Sequence, residues 1–291
     1  MNTIRKIEIS GLNIVTQPHT PEGYIELFKK MAKERQYIRI RGNDCLMLSS
    51  ARPLDSNDWT KGIVGEIIKF SEIEQDRNWV NVKAGKFLED GLEPQLPQDL
   101  KPNGAYFPYI FYPKSKGYAH KLFYVSHSRN HKGKYDNLSP NLLKKMFDSL
   151  FMRIKIELEY ESIEVTVLPD SEALDTIFRI PSLHKLELVI KAPNPDDLAD
   201  AESEIFQRME GINVSETYHE YKSKQSEFIK PDDKLKIQAK VAANNGYVKG
   251  YGKDIDGTKV EKSTKEIPLK RTVILDTLKD TLFSALERFR L

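Results

Sequence analysis

A single cysteine, Cys45, stands among 291 residues, so no disulfide can close within the chain. Set in the stretch DCLMLSS, it reads as a buried structural thiol on a strand. No apolar run approaches the roughly 18 residues of a membrane span. The opening MNTIRKIEISGLNIV lacks both the continuous apolar region and the small-residue cleavage site of a signal peptide, and a cytoplasmic location is expected. Catalytic signatures are missing as well. There is no G-x-S-x-G nucleophile elbow and no GxxxxGK[ST] phosphate loop. In GYVKGYGKDIDG the glycines are spaced as hairpin turns, with no helix start behind them. No catalytic residue and no cofactor are expected. The net charge is only +2, so a role on nucleic acid must come from local segregation of charge.

Such segregation exists as another absence. Residues 100–135 contain no Asp or Glu, in a chain with 43 acids. The same window holds Lys101, Lys114, Lys116, Lys121, Arg129, Lys132 and Lys134, with His120, His127 and His131. It also holds nine aromatics: Tyr106, Phe107, Tyr109, Phe111, Tyr112, Tyr118, Phe123, Tyr124 and Tyr135. Lysine and arginine on phosphates release counterions, and aromatic rings can stack on exposed bases. Alternating aromatics in antiparallel strands are also core, and most of the nine are assigned there. The sharper signal is SHSRNHKGK, read as a flexible basic loop that is either a phosphate clamp or solvated surface. The nucleic-acid-binding candidates are Lys114, Lys116, Lys121, His127, Arg129, His131, Lys132 and Lys134. KSKGYAHK and SHSRNHKGK are the two ends of one strand, so these residues need not meet.

Metal chemistry finds less support. His127 and His131 have the spacing of a helical metal pair. However, the preceding residues are strand-like, Gly133 follows, and Ser128 stands where a metalloprotease has glutamate. Glu157, Glu159, Glu161 and Glu164 in IELEYESIE alternate like the exposed face of a strand. Asn194, Asp196 and Asp197 in PNPDD read as caps of an acidic helix, favoured by its dipole, or as ligands of a cation. No metal site is assigned. The acids of 196–210 and the lysines of 246–271 add acidic and basic faces that could also serve homodimer contacts.

Periodicity gives an α+β fold: mainly antiparallel sheets, flanking helices and a long C-terminal helix. Residues 1–155 form one region and 156–291 a second, possibly sharing one core. Strand 2–9 leads to a helix over 21–35, with Thr20 as cap and Pro21 in the first turn. Strands follow through YIRIR, CLML, 59–70 and 79–82, then AYFPYIFY and KLFYVSH. Ser139 caps a helix that begins with Pro140. Beyond it, SIEVTVLP and LHKLELVI are strands around a short helix, and 234–243 pairs with 246–264 as strands about Asn244-Asn245-Gly246. Residues 268–290 form the terminal helix, with Leu275, Leu278, Leu282, Leu286 and Phe289 on one stripe. Val273, Ile274, Leu269 and Phe283 widen that stripe, which suggests burial on two faces and hence a twofold dimer.

KLFYVSH, the basic loop, the LSP-capped helix and the strand ending in LELVIKAPNPDD together resemble a family of uncharacterised prokaryotic proteins linked to antiphage defence. Their domain is of unknown function, and the family brings no catalytic residues. The order of elements is more remotely similar to RexA-like phage exclusion proteins, and that resemblance implies DNA binding with little sequence preference and dimerisation. The expected function is antiphage defence through backbone contacts to nucleic acid, with DNA and a second copy of the chain as partners and no membrane. The alternatives are a metal-dependent nuclease centred on PNPDD or on Glu157–Glu164, and a protein-interaction sensor of a phage component.

Overall fold

A computed structural model describes residues 4–17, 19–73, 78–88, 97, 99–113, 120–130, 132–191, 205, 207–209, 211–276 and 281–288. The first half runs β1 (Ile4–Gln17), α1 (Pro21–Glu34), β2 (Tyr37–Arg41), β3 (Asp44–Asp55), β4 (Asp58–Ser71), β5 (Val80–Asn81), β6 (Lys86–Phe87), β7 (Ala105–Phe111), β8 (Lys121–Arg129), β9 (Tyr135–Asn137) and α2 (Pro140–Glu157). It continues with β10 (Ser162–Val167), α3 (Ala173–Phe178), β11 (Lys185–Lys191), β12 (Glu216–Lys222), α4 (Asp233–Asn245), β13 (Gly246–Lys253), β14 (Lys259–Ser263), β15 (Arg271–Asp276) and α5 (Leu282–Arg288).

Among the described residues, nine strands make one antiparallel sheet in the order β10-β1-β8-β7-β4-β3-β2. In addition, β15 pairs with β1 and β9 with β8. The long strand β1 organises it. One edge pairs with β8, and the other is shared by β15 against Ile4–Ile9 and β10 against Leu12–Gln17. Leu12 and Ile14 point into the core under α1 and α2, and Ile7 and Ile9 into a second core on the opposite face with α5. Burial on both faces hides the period-2 alternation, which is why the strand reads as ending at residue 9.

The two large helices start as their sequences dictate. Thr20 Oγ1 accepts from the Gly23 N–H, Ser139 Oγ accepts from the Leu142 N–H, and a proline opens each helix. Leu143, Met146, Phe147, Leu150, Phe151 and Ile154 then lie on the buried stripe of α2. A second sheet, in the order β12-β11-β13-β14, has α3 and α4 on one face, where Leu186, Leu188 and Ile190 meet Ile177, Ala239 and Ala242. Its other face carries Lys185, Glu187, Tyr218, Glu220, Tyr247, Lys249 and Tyr251, as the register of the strands requires. The sheets meet where Lys191 on β11 reaches Glu164 on β10 at 2.7 Å and Asn13 faces Asn245 at 3.4 Å.

Two expectations fail. Residues 234–243 are not a strand: they belong to α4. Asp232 caps the helix, its Oδ1 accepting from the Leu235 N–H at 2.8 Å, and Ala239, Ala242 and Ala243 are buried on it. Alanine at i, i+3 and i+4 is a helical signal that the neighbouring Asn-Asn-Gly obscured. Asp232→Ala is expected to cost about 1 kcal/mol, measured by urea unfolding, and an unchanged midpoint would remove the cap from the account. The other failure is the long C-terminal helix. RTVILD is strand β15, and the described helix spans only Leu282–Arg288. The β-branched Thr-Val-Ile run favours the strand, and Leu275 and Leu286 meet in the same core although they sit on different elements. Leu278 and Phe289 lie outside the described residues. No helix among the described residues is long and apolar enough to cross a membrane.

Candidate nucleic-acid interface

The basic loop is the turn of the β8–β9 hairpin, where Arg129 stands opposite Tyr135 and His127 opposite Asn137. Its described residues are held by hydrogen bonds to Asn130. Asn130 Oδ1 accepts from the backbone N–H groups of Lys132 and Lys134, each at 3.0 Å. The Asn130 N–H donates to the Lys134 carbonyl at 2.7 Å, and the Gly133 N–H to the Asn130 carbonyl at 3.0 Å. Gly133 takes φ +77°, a conformation open to glycine at little cost. Arg129 Nε donates to the Gly133 carbonyl at 2.9 Å, which lays the guanidinium along the loop. Asn130 Nδ2 also donates to Asp136 Oδ1 at 3.2 Å.

The hydrogen bonds leave Arg129, Lys132 and Lys134 exposed to solvent, with no ion pair to any of them among the described residues. Beside it Tyr135 is 65% exposed, and its ring stacks on His127 with centroids 4.9 Å apart at 11°. The two are diagonal cross-strand neighbours, within reach of aromatic side chains. Tyr135 offers a flat ring next to three cations, which is the combination that a sugar–phosphate strand with an accessible base requires.

The other candidates are dispersed. Lys121 begins β8 opposite Asn13, eight residues and about 26 Å of strand from Arg129. Lys114, Lys116 and His131 lie outside the described residues, as does PNPDD. His127 sits on a strand, so the four-residue spacing to His131 does not make a helical metal pair. Among the described residues no three His, Cys, Asp or Glu side chains gather as a metal site. The acids of IELEYESIE do not form the single strand face expected of them. Glu157 ends α2 and pairs with Lys30, Glu159 takes φ +55°, and Glu164 on β10 pairs with Lys191. Six of the nine aromatics are core: Phe107, Tyr109, Phe111, Tyr112, Phe123 and Tyr124. Tyr106 and Tyr135 are exposed, and Tyr118 lies outside the described residues.

His120 does not belong with the basic surface. It is 2% exposed, at φ +63°, its ring 4.3 Å from that of His19 and 4.9 Å from that of Tyr24. Tyr24 Oη lies 3.0 Å from His19 Nδ1 and accepts from the Thr16 N–H at 3.0 Å. Burial first, and then the charges of His19 and Lys121, push the His120 imidazole down to about 3. Nothing in the sequence marks His120 as buried, because its neighbours 114–121 are polar and basic.

A comparison with the curated proteins gave no match. A family model described as a domain of unknown function (DUF4747) matches residues 5–289, nearly the whole chain and both sheets, and the chain belongs to that family.

Proposed function

We propose that the protein binds nucleic acid, with DNA as the first candidate, through backbone contacts with little sequence preference, and that it does so in antiphage defence. One observation carries the binding: a hairpin turn fixed by Asn130 holds three cations without carboxylate partners beside an exposed tyrosine. A backbone already held by hydrogen bonds adds little ordering cost to that of the lysine side chains on meeting phosphate. They read charge rather than base edges, so low sequence preference follows. The defence role rests on the family resemblance in the sequence.

A mobility-shift titration at two salt concentrations tests the reading. Replacing Arg129, Lys132 and Lys134 together with Ala should flatten the salt slope on duplex DNA by roughly 0.9 per contact, about 2.7 in all, and weaken binding on the order of 10²-fold at 0.1 M salt. The loss should be the same for unrelated sequences. A folded triple variant with unchanged affinity removes this loop from the interface. Mg²⁺-dependent degradation of the DNA in the same tubes would replace binding with the nuclease reading.

A homodimer is also part of the proposal, although 271–276 is a strand and the described C-terminal helix spans only Leu282–Arg288, so the long helix does not support it. Light scattering at micromolar concentration decides it: a single species near 33.6 kDa rejects the dimer.

A further inference from the structure

We infer that the cleft between the loop 223–228 and the β13–β14 hairpin is a nucleotide site, with Lys253, Lys259 and Lys224 for the phosphates and Phe228 for the base. It shares no residue with the β8–β9 turn and does not depend on that turn binding nucleic acid. The cleft has a volume of about 1010 Å³, the size of a small-molecule site. Its floor is 182–184, the chain leading into β11, and hydrogen bonds hold both walls to it. On the hairpin side the Ser182 N–H donates to the Lys253 carbonyl at 3.1 Å, and the His184 N–H to the Tyr251 carbonyl at 2.9 Å. On the loop side the Ser223 N–H donates to the His184 carbonyl at 2.9 Å, and the Ile229 N–H to the Leu183 carbonyl at 2.8 Å. Lys224 and Phe228, which line the cleft, lie between these two ties.

The charges of the cleft point to an anion. Lys253 and Lys259 stand directly opposite each other in the β13–β14 register, with Cβ atoms about 5 Å apart. Like charges so placed are destabilising, and the next pair on that face, Tyr251 with Glu261, carries no such conflict. Among the described residues no carboxylate comes within ion-pair distance of Lys224, Lys253 or Lys259. The adjacent acid, Asp254, is spent on the hairpin's own turn, where its Oδ1 accepts from the Asp256 and Thr258 N–H groups at 3.0 and 2.9 Å. Two acids line the cleft. Glu261 is already paired with Lys249 at 3.3 Å, which leaves Glu227 against three lysines. A phosphate group between Lys253 and Lys259 would replace their repulsion with two charge-assisted hydrogen bonds. In the same cleft the Phe228 ring is 53% exposed, and a bare ring of this kind is a platform on which a base can stack. An inorganic anion has no use for the ring, and a flat apolar ligand has none for the lysines. A nucleotide uses both.

Isothermal titration calorimetry of the whole chain with ATP, adenosine and tripolyphosphate tests the site. The wild type should bind ATP more tightly than either fragment. Lys253→Ala combined with Lys259→Ala should weaken ATP binding at least about tenfold. The thermal midpoint of that double variant without ligand should be unchanged or higher, because a like-charge pair has been removed. Phe228→Ala should weaken ATP and leave tripolyphosphate unchanged, which separates stacking from charge. The Arg129/Lys132/Lys134 triple variant should bind ATP as the wild type does, so failure of the β8–β9 turn and failure of this cleft are told apart. No binding of ATP, equal binding of ATP by the wild type and the double variant, or equal binding of ATP and tripolyphosphate by the wild type overturns the site.

Discussion

Acidification from pH 7 to pH 4.5 is expected to remove about 2.5 kcal/mol of stability through His120 alone. The group's folded-state pKa is depressed, to about 3 from 6.5. In the native state the ring stays neutral, while the unfolded chain takes up a proton below pH 6.5. The stability is thus fully present above 6.5 and falls as the pH drops toward 3, by about 1.4 kcal/mol per unit in between. The physical cause is a ring that is 2% exposed, with neither nitrogen hydrogen-bonded among the described residues, packed against His19 and Tyr24. An imidazolium there would find no acceptor and would face the charge of Lys121. Urea unfolding of the wild type and of His120→Asn at both pH values isolates the effect. Asparagine tolerates the left-handed backbone at this position and does not titrate. The variant should show a pH dependence smaller by about 2.5 kcal/mol. An identical pH dependence in both proteins would mean that the native ring accepts a proton readily.

Gly65→Ala should cost about 3 kcal/mol or more and leave little folded protein at 37 °C. Gly65 lies mid-β4, between β3 and β7, opposite Ala51 and Tyr109. The register of β3 slips between Leu48 and Ser50, a bulge at Ser49. Just beyond the bulge the Ser50 carbonyl accepts from Tyr109 Oη at 2.9 Å. A Cβ on residue 65 would stand 2.0 Å from that oxygen and 2.8 Å from the Tyr109 hydroxyl. Backbone cannot give way as a side-chain tip can, so β3 and β4 would have to part. Gly62→Ala is the control: its Cβ meets only the Leu54 side chain, at 3.1 Å, and should cost far less. Circular dichroism melts of the two variants decide the point, and a Gly65→Ala protein as stable as Gly62→Ala would mean that the bulge relaxes freely.

Local signals account for what was legible in the sequence. Thr20-Pro21 and Ser139-Pro140 each place a cap and a proline before an apolar stripe, and both helices begin there. The hairpin turn at Asp256-Gly257 was equally plain, with Gly257 at φ +82°. Long-range pairing decided what was missed. Whether RTVILD becomes helix or strand depends on an open edge on β1, far away in sequence. Charge was legible as composition and illegible as geometry. The acid-free window places Lys121 and Arg129 at opposite ends of β8 and hides His120 in the core.

The pairing of β1 with β15 also sets an order of events during synthesis. Ile4–Ile9 is made before the strand that covers its outer edge, Arg271–Asp276, which follows more than 260 residues later. At about 5–20 residues per second, that edge waits on the order of 10–50 s for its partner. Through that interval a strand that alternates isoleucines with charged residues has unpaired backbone groups open to pairing with other nascent chains. Closing so long a loop is slow even after release. Yield in cells should therefore respond to translation speed and to chaperones that hold exposed strands, and truncation before residue 271 should leave a protein harder to obtain in soluble form than its well-packed helices suggest.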